Sequence, residues 1–290
     1  MTRDSVGVGE HEQWNRIWTD LSDDELVQYR RGAPRTYRQL AQRVYFEDLW
    51  ALLGQKRDAR CLEIGAGRGT TSMYLTAEGC DVTMLDLAPQ SFAQAERCFK
   101  SQNLPVPKFV AADAQHTGLP ENSYDCIYSI GLLEHFDDPR PLLTETLRLL
   151  RPGGMAFHVV VPTIPESRMR LSYAFLAPWK LPPRGLKDSV NRMLGRNTKG
   201  SREKMTRTEH GVADYVKWLA TLPATDVICI PYNPYHPANN NRTVERWWGV
   251  PLYRLHRCLK RFISRPPWAR TADSVAMCVL VSFHKAGAAS

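Results

Sequence analysis

The sequence predicts an α/β domain: a doubly wound, mostly parallel sheet of seven strands with helices on both faces. Three observations predict it. Short apolar runs alternate with segments of helical periodicity from about residue 60 onward. A glycine-rich bend follows the first of those runs, and an acid closes the second. The chain of 290 residues, 43% hydrophobic and 23% charged, has enough apolar content to bury a full core. This composition excludes fibrous, collagen-like and wholly disordered chains.

The elements can be justified in order. His11 to about Gly54 reads as helices. Trp14, Ile17, Trp18 and Leu21 recur at i, i+3, i+4 and i+7, and Ser22 with Glu25 forms a capping box for a second helix. A third runs from about Tyr37 to Leu53 and stops at Gly54. Strands are expected at Arg60–Ile64, Asp81–Asp86, Lys108–Ala112, Tyr124–Ile130, Met155–Val161, Asp226–Ile230 and Ser274–His284. Helices are expected between the early ones at Thr70–Ala77, Gln90–Lys100 and Arg140–Leu150. Alternation at this spacing implies parallel strands joined by crossover helices. Two stretches, 162–210 and 232–273, interrupt it and read as insertions. The expected division is an N-terminal helical extension over 1–56 and one domain over 57–290 that carries both insertions.

The net charge of +8 is unevenly placed. Residues 1–150 hold 16 Lys/Arg against 22 Asp/Glu, whereas 151–290 hold 22 against 8. Within the second half, 162–210 has 11 against 4 and 242–270 has 8 against 1. The two insertions therefore hold the excess, which calls for a purpose. No apolar run approaches the roughly 20 residues of a membrane span. Met1–Asn15 lacks the apolar region of a secretory signal, so a cytoplasmic setting is expected, with membrane association as a second expectation. The seven cysteines form no CxxC pair, which argues against disulfides and a zinc knuckle. No His/Asp/Glu grouping has metal-ligand spacing, and no metal is expected.

The bend reads Glu63-Ile64-Gly65-Ala66-Gly67-Arg68-Gly69-Thr70, and Asp86 stands at the end of the second strand. Glycines there let the backbone turn sharply and approach a ligand. An acid at the next strand's tip can accept both hydroxyls of a ribose. A dinucleotide fingerprint would need its third glycine at position 70, where this chain has Thr. Glu63 beside the bend would also repel a pyrophosphate, but would suit a sulfonium or an ammonium group.

These residues resemble the class I S-adenosylmethionine-dependent methyltransferases, in the branch of small-molecule and quinone-ring methylases. The resemblance rests on LEIGAGRG at 62–69, LDLAP at 85–89, AADAQHTGLPENSYDCIYS at 111–129, GLLEHFDDP at 131–139 and LRLLRPGG at 147–154. It covers about residues 59–161 and implies a Rossmann-like methyltransferase fold whose last strand is antiparallel. It further implies that Glu63, Gly65, Ala66, Gly67 and Gly69 line the methionyl half of S-adenosyl-L-methionine. Asp86 would hold the ribose and Leu87 would flank the adenine. Asp113 with Ala114 would reach the exocyclic amine. Ser129 and Ile130 through Leu132 would face the methyl and the acceptor.

A sulfonium methyl is already activated, so the protein mainly has to align an acceptor. A hydroxyl acceptor also needs a base, and His135 is the nearest titratable candidate, its alternative being to stabilise a helix start. His158, alternating with apolar neighbours, reads as a core histidine. His210, His236 and Tyr232 lie in the added segments and are further candidates. Asn233-Pro234-Tyr235 is similar to the N-P-P-Y string of amino-methylating nucleic-acid enzymes, but it lies far from the fourth strand and reads as a turn. Both insertions leave from the carboxyl ends of strands, so they are expected to cap the acceptor pocket. In the second, Trp248, Leu252, Leu255, Leu259 and Phe262 follow helical spacing among cations. Packing of that face against the domain is the first expectation; peripheral membrane contact through 242–265 and an anion-binding lid are the others. The function expected is O-methylation of a small or lipid-linked acceptor, anionic or hydroxylated at one end: a phenol, quinol, glycan or natural product. The alternatives are an RNA methyltransferase, which lacks any added RNA-binding module here, and a non-catalytic interaction protein on the same fold.

Overall fold

The computed structural model describes residues 28–34, 36–163, 207–232, 250–263 and 265–287. In this structure Tyr37–Leu52 (α1), Arg60–Ile64 (β1), Thr70–Ala77 (α2), Asp81–Asp86 (β2), Gln90–Ser101 (α3) and Lys108–Ala111 (β3) come first. Tyr124–Ile130 (β4), a 3-10 turn at Leu133–His135, Arg140–Leu149 (α4) and Leu150–Val160 (β5) follow. Val212–Leu219 (α5), Ala224–Tyr232 (β6), Val250–Ile263 (α6) and Cys278–Lys285 (β7) complete the described elements. The expected helices before Gln28, most of the insertion at 162–210 and the stretch 233–249 of the other insertion lie outside the described residues.

The strands form one sheet in the order β3-β2-β1-β4-β5-β7-β6. The chain starts at β1, winds outward to β3, then returns to β4 beside β1, so the switch point lies between β1 and β4. β7 is antiparallel to both β5 and β6. β6 therefore runs with β5 and ends on the same edge as the glycine bend. Pro231 is tolerated in β6 because this is an edge strand.

Alternation along each strand sends residues into two apolar layers. Cys61 meets Leu40, Leu49, Met73 and Phe99 of α1, α2 and α3 on one face. Leu62 and Ile64 meet Leu142, Leu143, Leu147, Tyr215 and Leu219 of α4 and α5 on the other. α1 starts on the Thr36 cap, whose hydroxyl accepts the Gln39 N–H at 3.2 Å.

Several element ends differ from expectation by one or two residues, and two strand starts differ by four or more. β5 begins at Leu150, because the backbone of Arg151–Gly154 continues the strand through an irregularity beside Tyr124. A Cβ on Gly154 would stand 2.9 Å from the Arg151 carbonyl and 3.1 Å from that of Tyr124, so only glycine fits. The last strand starts at Cys278 because Asp273–Val275 closes a 3-10 turn before it.

Candidate active site

β1 ends in the bend, which runs straight into α2. Gly65, Gly67 and Gly69 all have positive φ, at 65°, 50° and 65°, and Gly69 is the left-handed residue from which α2 departs. A Cβ at Gly65 would lie 2.8 Å from Leu132 Cδ1, so the bend and the turn after β4 touch. The Ala66 N–H donates to the Leu85 carbonyl at 3.1 Å, tying the bend to β2.

Asp86 completes that tie. One carboxylate oxygen accepts the Gly67 N–H and the other the Ala88 N–H, each at 2.8 Å. The side chain is 8% exposed. A carboxylate offers about four lone-pair sites, so each oxygen keeps acceptor capacity for a ligand hydroxyl. Leu87 and Asp113 are half-buried and Ala114 is buried. Asp113 Oδ1 accepts the Gln115 N–H at 2.9 Å, so it also caps its own loop.

Glu63 is placed differently from expectation. It is buried under the bend, where Ser72 and Tyr128 donate to Oε2, the latter at 3.4 Å. Burial pushes its pKa up to about 7; the two hydroxyls offset this in part, and the nearby Asp86 charge adds to the rise. Sequence reasoning found the acid but not Ser72 or Tyr128, because these partners come from α2 and β4.

Ser129 needs a correction. Its side chain is fully buried and pairs with His158 Nδ1 at 2.8 Å, so it points into the layer against α4 and α5. Ile130 remains half-buried at the end of β4. His158 is the expected core histidine: burial takes its pKa down to about 3 and keeps it neutral. Tyr232 is likewise structural. It is fully buried and donates to Asp48 Oδ2 at 2.7 Å, while Asp48 also accepts the Trp268 and Ala269 N–H groups. His210 Nε2 stands 3.0 Å from the Asp137 carbonyl, alongside the turn after β4, and stacks edge-on with Trp218. His236 and Asn233-Pro234-Tyr235 lie outside the described residues.

The turn after β4 is where a base would have to sit. Gly131 takes φ 76°, and Leu133–His135 then forms the 3-10 turn. His135 is 14% exposed, with Nε2 4.0 Å from Glu134 Oε1. Glu134 went unremarked in the sequence, yet it is 1% exposed and neither oxygen reaches a partner at full hydrogen-bond geometry. Burial raises its pKa to about 7. The string Leu133-Glu134-His135-Phe136 held the signal: an acid on a short apolar turn has nowhere solvated to go.

The switch point, the glycine bend and an acid at the tip of β2 define a nucleoside-binding doubly wound domain. Comparison with known proteins takes this further. Residues 62–158 match the methyltransferase domain family. Malonyl-[acyl-carrier protein] O-methyltransferase of Enterobacter lignolyticus (strain SCF1) is 34% identical over 144 residues, 48% of this chain and 55% of that enzyme. Ubiquinone biosynthesis O-methyltransferase of Pseudomonas fluorescens (strain Pf0-1) is 25% identical over 177 residues, 60% of this chain and 69% of that enzyme. The chain thus spans just over half the length of the first and about two thirds of the second. Geranyl diphosphate C-methyltransferase from Streptomyces coelicolor A3(2), solved with Mg2+, geranyl diphosphate and S-adenosyl-L-homocysteine, shares the fold. Its TM-score is 0.56 at 12% identity, with 97% of this chain and 100% of that one covered. Residues 62–158 thus carry a methyltransferase domain, on a fold shared with a methyltransferase of known structure.

Proposed function

We propose that the protein transfers the methyl group of S-adenosyl-L-methionine to an oxygen of a small-molecule or lipid-linked acceptor. One observation carries the cofactor reading. Two buried acids, Glu63 and Asp86, flank a glycine bend whose Gly67 N–H is already tied to Asp86. That donor set suits a cationic sulfur nucleoside and opposes a pyrophosphate.

The cofactor supplies a sulfonium methyl, an activated electrophile. The chain's residues bind and orient. Gly65, Ala66, Gly67 and Gly69 let the methionyl part come close, with Glu63 supplying negative charge from beneath. Asp86 accepts the sugar hydroxyls, Leu87 flanks the adenine, and Asp113 with Ala114 meets its amine. Ile130 and Leu132 close the methyl side, and Ser129 contributes backbone only. His135 takes the proton from the acceptor hydroxyl, and Glu134, 4.0 Å away, stands within Coulomb reach of the imidazolium that forms.

The oxygen acceptor is supported by the names of the two relatives, both O-methyltransferases. The basic insertions favour an acceptor with an apolar body and an anionic or hydroxylated end. A cytoplasmic enzyme with membrane contact through 242–265 belongs to the same reading. The test is transfer of labelled methyl from S-adenosyl-L-methionine into fractionated cell extract. Label in a small lipid-soluble product supports the proposal. Label in RNA favours the nucleic-acid alternative, and no cofactor binding by calorimetry favours the non-catalytic one.

A further inference from the structure

Helix α6 is mounted with its charged side inward. At 100° per residue, Arg257 and Arg261 project from one side and Leu255, Leu259 and Phe262 from the other. The charged side is the one held by the domain. Arg257 and Arg261 both pair with Glu47 of α1, Arg261 at 2.7 Å, and the Arg261 guanidinium also lies 4.8 Å from the Trp268 ring centre. Arg254 donates to the Pro34 carbonyl. On the other side Leu255 is 58% exposed, Leu259 53% and Phe262 85%. Half of the exposed large hydrophobic residues among those described sit on this one helix. A helix that serves only the core presents the opposite arrangement. The first expectation from sequence, that this face packs on the domain, is corrected here for Leu255, Leu259 and Phe262.

We infer that α6 docks the protein on an anionic lipid surface, its Leu255–Leu259–Phe262 row entering the acyl boundary and the neighbouring arginines meeting phosphate headgroups. The inference deepens the membrane contact proposed above. The occupant is chosen by charge. From Arg246 to Ala272 the chain has no Asp or Glu; Arg254, though bonded to Pro34, and Arg265, just past the helix, are both exposed. A second copy of the same face would set like charges against each other, whereas anionic headgroups complement them. The length suits lying on a surface. Fourteen residues span about 21 Å, and among the described residues no helix is long and apolar enough to cross a membrane.

Position connects the surface to the site. The chain leaves the sheet at Tyr232 and returns at Arg270, which bridges back to Tyr232. That is the sheet edge on which β1 and β4 hold the glycine bend and the His135 turn. A bilayer against α6 would therefore rest on the segment that leaves and rejoins this edge.

The experiment uses the full chain, vesicles of phosphatidylglycerol and phosphatidylcholine at equal parts, and vesicles of phosphatidylcholine alone. The wild type should co-sediment with the first and stay in solution with the second. The double variant Leu259→Ser/Phe262→Ser should partition about tenfold more weakly or worse. Its affinity for S-adenosyl-L-methionine by calorimetry should stay within about twofold of wild type, which shows an intact domain and separates this inference from the methyl-transfer reading. Raising the salt to 0.5 M should weaken binding severalfold. The inference is overturned if the wild type ignores anionic vesicles or binds both kinds equally. It is also overturned if the double variant binds as well as wild type. A wild-type dimer in sedimentation velocity that the variant loses would assign the face to a second copy and overturn it too.

Discussion

If Glu63 senses a cationic ligand from beneath the bend, cofactor binding must expel its proton. Its pKa of about 7 in the ligand-free protein arises because burial outweighs the hydrogen bonds from Ser72 and Tyr128, with Asp86 adding to the rise. A sulfonium and an ammonium placed above it would stabilise the carboxylate and draw the pKa down. Affinity should therefore fall as pH drops below 7, approaching tenfold per unit. With the bound-state pKa below about 4.5, the dissociation constant should weaken about thirtyfold between pH 8 and pH 5.5, roughly 2 kcal/mol. Isothermal calorimetry at these pH values, in two buffers of different ionisation enthalpy, reads both the affinity and the protons released. At pH 7 about half a proton should leave per cofactor bound. Glu63→Gln, which has no proton to lose, should bind more weakly at pH 8 and lose this dependence. Parallel wild-type and variant curves would refute the reasoning and leave Glu63 as a support for Ser72 and Tyr128.

Other residues give sharper local tests. Asp86→Ala removes both the ribose acceptor and the anchor for the Gly67 N–H, so cofactor affinity should drop at least tenfold; an unchanged dissociation constant by calorimetry removes the ribose role. His135→Ala should cut turnover far more than cofactor affinity once an acceptor is in hand, and equal turnover would leave positioning as the whole mechanism. Asp48 carries a stability signature. Burial lifts its pKa from 3.8 to about 6 despite three hydrogen bonds, so the stability it contributes is present below pH 4 and lost as pH rises through 6. Urea unfolding of Asp48→Asn and wild type should diverge by about 2 kcal/mol in the variant's favour between pH 4 and pH 7. Parallel pH profiles would show that the Tyr232, Trp268 and Ala269 donors already compensate the buried charge.

Much of the scaffold was readable from local pattern. Arg60–Ile64, Thr70–Ala77, Asp81–Asp86 and Tyr124–Ile130 have the same bounds in the sequence reading and in the structure. These segments are bounded by glycines, acids and changes of period, which act through neighbouring residues alone. The glycine bend and Asp86 were visible for the same reason: a backbone needing positive φ at positions 65, 67 and 69 writes glycine there. Glu134 was harder to read: its apolar neighbours hint at burial, but whether both oxygens would be enclosed was decided by tertiary packing.

The sequence by itself determined the order of the strands and of the helices between the early ones, the bend, and the acids at its rim, because side-chain periodicity and backbone stereochemistry are local; the helix Val212–Leu219 was not read from it. Only the tertiary structure decided what those groups face. It turned Glu63 toward Ser72 and Tyr128, committed Ser129 to His158, and joined Tyr232 to Asp48 across 184 positions. It also decided which side of α6 is held. An amphipathic pattern gives the same periodicity whether its apolar or its charged face is docked, and the choice here fell to Glu47 on a helix some two hundred residues earlier.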